Sequence, residues 1–280
     1  MTEKPATLNP TNKPAYILSF IILLLMTAAS LAGIFIEDIY RDNHLVTSGW
    51  YGNDWVTLLL AVPLLAISMV LSNRGSHAAR LVWMGMLFYA LYNYAFYLFG
   101  AAYNSLFLLY VALFTLSGFA LIFGLSGLNT KSVATQFKSR TPVKGIAGFM
   151  AFVSLLLGVF HIGLSLNHLF TGQIPEFVTI MDKTTNIISA LDLSITVSVG
   201  LLGAVWLRRR KPWGYVLAVI WNVKGAVYLT ALSAATWAAF QSAASESLTE
   251  LALWIPIALG CAISLVLLLG NMRSGQEKTA

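Results

Sequence analysis

Lys224 stands in the middle of an apolar run from Trp213 to Phe240, beside Trp221, Asn222 and Val223. An ammonium group in hydrocarbon is costly and is normally kept with a partner or in a wet cavity. Asp192, in the preceding apolar run, is the natural partner. It lies 16 residues before Arg208, and Lys224 lies 13 residues after Lys211. At ~1.5 Å per residue, both sit ~20–24 Å from the basic loop joining their helices, in the outer half of a ~30 Å hydrocarbon core. A helical hairpin then brings them within reach of an ion pair. Such a pair can be a substrate or proton site whose charge balance changes on binding. It can also be a fixed pair that sets helix register at little net energy. Asn222 and Tyr228 join Asp192 and Lys224 as candidate ligand-binding residues.

The run Leu81 to Gly100 adds a second set: Tyr89, Tyr92, Asn93, Phe96, Tyr97 and Gly100, spaced to share one helical face. Hydroxyl-bearing rings in that order can line a cavity open to the outside and hold an apolar or cationic ligand. The competing reading is an aromatic face packed on a neighbour, its upper tyrosines in the interfacial belt. Asp54, at the start of the second run, completes a candidate site of Asp54, Tyr89, Tyr92, Asn93, Asp192, Asn222, Lys224 and Tyr228, between the second, third, sixth and seventh runs. The ligand expected there is a small molecule or an ion.

Ser154, His161, Ser165 and His168 share a face of the fifth run. Histidines seven apart on a helix are ~10 Å apart, too far to bind one metal jointly. They read as hydrogen-bonded core histidines, or as a proton relay. Glu37, Asp54, Glu176 and Asp192 would suit a hard cation if they converged, and otherwise are solvated interfacial carboxylates. Gly163-Leu164-Ser165-Leu166 has the shape seen around some intramembrane serine nucleophiles, but both histidines lie on the same helix as that serine. No zinc-protease, Walker or dinucleotide motif occurs. The sequence therefore assigns no cofactor and no metal. A lipid-modifying enzyme of the outer leaflet and a non-catalytic sensor or assembly partner stand as the alternatives to a transporter.

Composition names the solvent of these residues. The chain is 58% hydrophobic and 10% charged, with mean hydropathy +0.76, against about a quarter charged in soluble domains. Eight apolar runs are each long enough to span a bilayer as a helix. The expected fold is all-α: a polytopic membrane protein of eight transmembrane helices. They divide into a tail (1–14), a four-helix half (15–127), a basic linker (128–144), a second half (145–270) and a tail (271–280). The first run resembles a signal peptide at its start, yet is long enough to span. The second helix is expected from Asp54 to Ser72 with a kink at Pro63. The single Cys261 excludes an intrachain disulfide.

All Lys and Arg but Arg41, Lys183 and Lys224 fall in the two tails and in the second-third, fourth-fifth and sixth-seventh loops. The positive-inside rule then puts both termini in the cytoplasm, and it accounts for the net charge of +6 with no nucleic-acid partner. Glu37 and Glu176 are 139 residues apart, and Asp54 and Asp192 are 138 apart. These landmarks predict two parallel four-helix repeats related by an axis along the membrane normal.

Gly52-Asn53-Asp54-Trp55-Val56-Thr57, Asn73-Arg74-Gly75-Ser76, Tyr89 through Gly100 and Phe107 to Leu113 together resemble a family of bacterial multi-pass membrane proteins of unknown function. The resemblance covers the second to fourth runs and, more loosely, Arg209 to Tyr215. It implies a bacterial cytoplasmic membrane and no activity.

Overall fold

In hydrocarbon each backbone N–H and C=O must find its partner within its own segment, so each long apolar run becomes a helix. The structure, a computed structural model, describes residues 13–273. The expected tails 1–14 and 271–280 lie outside it apart from residues 13, 14 and 271–273. Eight helices are long and apolar enough to cross a membrane: α1 Lys13–Phe35, α2 His44–Asn73, α3 His77–Gly100, α4 Phe107–Ser126, α6 Val143–Thr171, α8 Ile187–Arg208, α9 Pro212–Gln241 and α10 Leu251–Gly270. Two short helices, α5 Thr130–Gln136 and α7 Glu176–Ile180, lie in the connections. The polar linker thus holds one helical turn pair, capped by the Asn129 side chain on the Ser132 amide.

The centre is built on α3 and α9. Side chains of α3 are buried in unbroken succession from Trp83 to Ala90, which means neighbours on every side. The sequence pattern suggests one packed stripe. The enclosure is wider, because α2, α4 and α9 all pack on α3. In turn α9 packs on α2, α3, α8 and α10, while α1 lies on α4 and α6 on α8. Glycines allow the closest approaches: a Cβ at Gly52 would meet the Ala234 backbone, and one at Gly85 would meet Val223. The outer helices turn Phe20, Leu59, Val159, Phe170 and Val266 outwards, an apolar belt that meets the lipid bilayer.

α2 departs from expectation. Helix begins at His44, not Asp54, capped by the Asn43 side chain on the Val46 amide. The polarity of Ser48, Asn53 and Asp54 reads as loop but marks a face buried in the protein. Asp54 therefore lies ten residues, ~15 Å of rise, inside its helix. The irregularity expected at Pro63 takes the form of a π-turn over Thr57–Ala61 immediately before it. Widening the turn there accommodates a residue with no N–H and a ring that would clash with the preceding turn. α8 has a second π-turn, Asp192–Val197, with no proline.

The basic connections meet at one end of the bundle. Arg80 donates to the Gly127 carbonyl, Arg210 to the Ser139 carbonyl, and Lys138 N to Asn271 O. At the opposite, acidic end, Asp42 accepts from Lys183 Nζ at 2.5 Å, Trp50 Nε1 at 3.1 Å and the Ala102 amide at 3.0 Å. Asn43 donates to Ile180 O. The segment between α1 and α2 is thereby tied to the segment between α6 and α8.

Candidate functional site

Asp192 is set on the first turns of α8 with Ser189 one turn before it and Thr196 one turn after. The three share a face. Asp192 Oδ2 meets His161 Nε2 of α6 at 3.1 Å, and Oδ1 accepts from Tyr92 Oη of α3 at 2.7 Å. His161 Nδ1 meets Ser189 Oγ at 2.8 Å. The carboxylate only accepts, so Nε2 donates to it, and in the neutral imidazole Nδ1 accepts from the Ser189 hydroxyl. A continuous chain thus runs Ser189–His161–Asp192–Tyr92.

Lys224 is buried in α9, 3% exposed, and its Nζ donates to Thr196 Oγ1 at 2.9 Å. The same nitrogen stands 3.5 Å from the centre of the Tyr92 ring and 4.8 Å from that of Tyr228. Two ring faces and a hydroxyl therefore surround the ammonium. The direct ion pair expected between Asp192 and Lys224 is not made: among the described residues the ion pairs are His161–Asp192 and Lys183–Asp42. Tyr92 stands between the two charges, its hydroxyl on the carboxylate and its ring on the ammonium. The π-turn of α8 carries both Asp192 and Thr196 to this junction, where the Thr196 carbonyl also accepts from Trp221 Nε1 at 2.9 Å.

Asp54 forms a separate nest. It is 3% exposed and accepts from Tyr40 Oη and, at 3.0 Å, from Tyr97 Oη. Trp50 stacks on Tyr97 with centroids 4.3 Å apart, and Tyr110 lies 5.1 Å from Tyr97. Tyr40 lies outside the spans. Burial first, and then the neighbouring Asp54 charge, push its phenol well above the ordinary range, so it remains a donor. A Cβ at Gly33 of α1 would collide with the Asp54 carboxylate and the Tyr40 hydroxyl.

Of the eight residues singled out from sequence, Tyr92, Asp192, Lys224 and Tyr228 come together. Tyr89 and Asn93 instead face α2, where Tyr89 Oη meets Thr57 Oγ1 at 2.9 Å and Asn93 Oδ1 accepts from Asn53 at 2.9 Å. Asp54 has its own nest. Asn222 points away from Lys224, as residues two apart on a helix must, and donates to the Ala218 carbonyl at 2.8 Å. Sequence reading set His161 among core histidines and missed Ser189, Thr196 and Tyr40. The i, i+3, i+7 spacing of Ser189, Asp192 and Thr196 was a usable signal; Tyr40, on a connection, gave none. Ser165, of the serine motif, donates to its own helix at the His161 carbonyl. Among the described residues no three metal-ligating side chains gather, so the four outer acids do not converge. A cleft of about 230 Å³ opens at the acidic end between Arg41, Gly100, Lys183 and Ile187. Ile187 begins α8, two residues before Ser189 and five before Asp192.

No protein-family model, curated protein or solved structure matches the chain.

Proposed function

We propose that this multi-pass membrane protein is a small-molecule or ion transporter of a bacterial cytoplasmic membrane, with both termini in the cytoplasm. Its site is the charge-balanced cluster Asp192–Tyr92–Lys224, with His161, Ser189, Thr196 and Tyr228 around it. The observation that carries the reading is one buried ammonium and one carboxylate that is largely but not fully enclosed, 14% exposed, separated by a single phenol and adding to zero. Intramembrane charges mark substrate and ion paths by default, and π-turns concentrate at functional sites. The cleft at the acidic end supports access from outside, since its lining begins the helix that carries Ser189 and Asp192.

We further propose two related four-helix halves. In support, α2 and α8 each carry their acid at or just before a π-turn. The hairpin pairs α3–α4 and α9–α10 both pack closely. The halves differ where α1 lies on α4 while α6 barely meets α10.

The test is tracer uptake into proteoliposomes across a panel of small organic and inorganic solutes. Lys224→Met is expected to abolish uptake seen with the unaltered protein while insertion and folding persist. Normal uptake in that variant would make the cluster structural. The tight enclosure of Lys224 favours a second reading, a sensor or assembly partner in which the cluster sets packing. That reading gains if no solute is taken up and Lys224→Met affects stability alone.

A further inference from the structure

Among the described residues, the Asp54 nest is the one place where a buried charge-bearing group faces no counter-charge. From α1 it meets Gly33, from the connection Tyr40, from α3 Tyr89, Tyr94 and Tyr97, and from α4 Tyr110. α9 presses its Ala234 and Ala235 backbone on Gly52, on another face of α2 from Asp54. Asp42, within electrostatic reach of Tyr110, is already held by Lys183. An ionised carboxylate taken from water into such surroundings is not repaid by two phenol hydrogen bonds.

A second observation sits in the same nest. Tyr110 Oη is buried, within electrostatic reach of Asp54, and approaches both Tyr40 and Asn104 without reaching hydrogen-bond geometry with either. Buried hydroxyls are seldom left so.

We infer that Asp54 is the exchange site for the ion that drives transport, and that this ion is a proton. The hydrogen-bond inventory then closes. With the proton bound, the Asp54 hydroxyl donates to Tyr40 Oη. The Tyr40 hydroxyl swings to Tyr110 Oη, and Tyr97 still donates to the other carboxyl oxygen. The idle hydroxyl gains a bond and no charge stays uncompensated. Release reverses the donations and leaves Tyr110 unpaired again. A hard metal cation fits less well, because it needs some six oxygen ligands. Here the phenol protons already point at the carboxylate, and Trp50, Tyr94, Tyr97 and Tyr110 fill the surrounding space.

The inference rests on the transport reading only for the word "drives"; the exchange site itself is tested separately. Dicyclohexylcarbodiimide is an apolar reagent that adds to protonated carboxyls in apolar surroundings and leaves a stable acylurea, readable by peptide mass spectrometry. Applied to the full chain in liposomes at neutral pH, it is expected to label Asp54 about tenfold more than Asp192, which has a counter-charge. The label should fall as pH rises and be unaffected when sodium replaces potassium. Since the reagent must reach the nest, infrared spectra supply a second reading: a protonated-carboxyl C=O band that shifts in heavy water and is missing in Asp54→Asn. Either signal with that pH profile supports the site. Absence of both, or protection by sodium but not potassium, overturns it. If Asp54 titrates while Lys224→Met leaves uptake normal, the exchange site stands and the proposed transport cluster falls. If Lys224→Met loses uptake while Asp54 stays silent, the transport cluster stands and the exchange site falls.

Discussion

Asp54 and Asp192 lie 138 residues apart on helices that run the same way, each beside a widened π-turn and each bound by a tyrosine of α3. Their surroundings answer one electrostatic problem in two ways. Around Asp192 the protein supplies charge and dipoles of its own: the Lys224 ammonium behind Tyr92, and a histidine whose far nitrogen is held by Ser189. Around Asp54 it supplies only phenols and ring faces. A fixed counter-charge makes a carboxylate permanent, whereas its absence leaves the balance to something that comes and goes. On the proposal above, the difference gives Asp192 a standing charge and Asp54 an exchangeable one.

The contrast can be broken first at Asp192. Asp192→Asn strands the Lys224 ammonium in the protein interior, and loss of one member of a buried pair costs about 3–5 kcal/mol. Thermal unfolding of the purified protein in detergent should show a larger fall in Tm for this variant than for any single substitution around Asp54. The two tyrosines sharpen the comparison next. Tyr92→Phe removes a hydrogen bond to a charged acceptor, worth about 1.5–3 kcal/mol, while leaving the ring face under Lys224. Tyr97→Phe removes one to a neutral carboxyl, nearer 1 kcal/mol. Equal losses in denaturation of the two variants would mean that both acids carry the same charge.

Gly33→Ala tests how tightly the Asp54 nest is closed. The added methyl meets the carboxylate and the Tyr40 hydroxyl, and overpacking of this kind costs about 1–3 kcal/mol. Unfolding at the unaltered Tm would show that the nest has room to spare. The smallest effect is expected at Asp54→Asn. An amide matches the shape and neutrality of a protonated carboxyl, so the loss should stay below about 1 kcal/mol. A loss comparable to that of Asp192→Asn would show a standing charge at Asp54.

How much of this the sequence revealed depends on the kind of signal each part leaves. The eight spans were legible because length and hydropathy report directly on hydrocarbon. That Asp192 and Lys224 lie near one another on adjacent helices was legible because both are rare charges counted along helices from a shared basic loop; the direct ion pair was not, because Tyr92 stands between them. The start of α2 was not. Ser48, Asn53 and Asp54 are polar because they face other protein, and polarity alone does not separate a buried polar face from a loop. The interposed Tyr92 was seen as part of a stripe, but which helix each ring of α3 meets depends on packing angles that single-chain periodicity does not contain. Tyr40 and Ser189 act through tertiary contacts between a connection, or a helix start, and distant helices. The π-turn at Asp192 has no proline to announce it.

The claim beneath all of these is that Asp192 and Lys224 form one charge-balanced unit although Tyr92 keeps them from touching. A double-mutant cycle of Asp192→Asn and Lys224→Met, read by unfolding free energy, tests it most directly. The account predicts that the double variant is more stable than Asp192→Asn alone, with a coupling energy above about 1.5 kcal/mol. Additive losses, with coupling below about 0.5 kcal/mol, would contradict it.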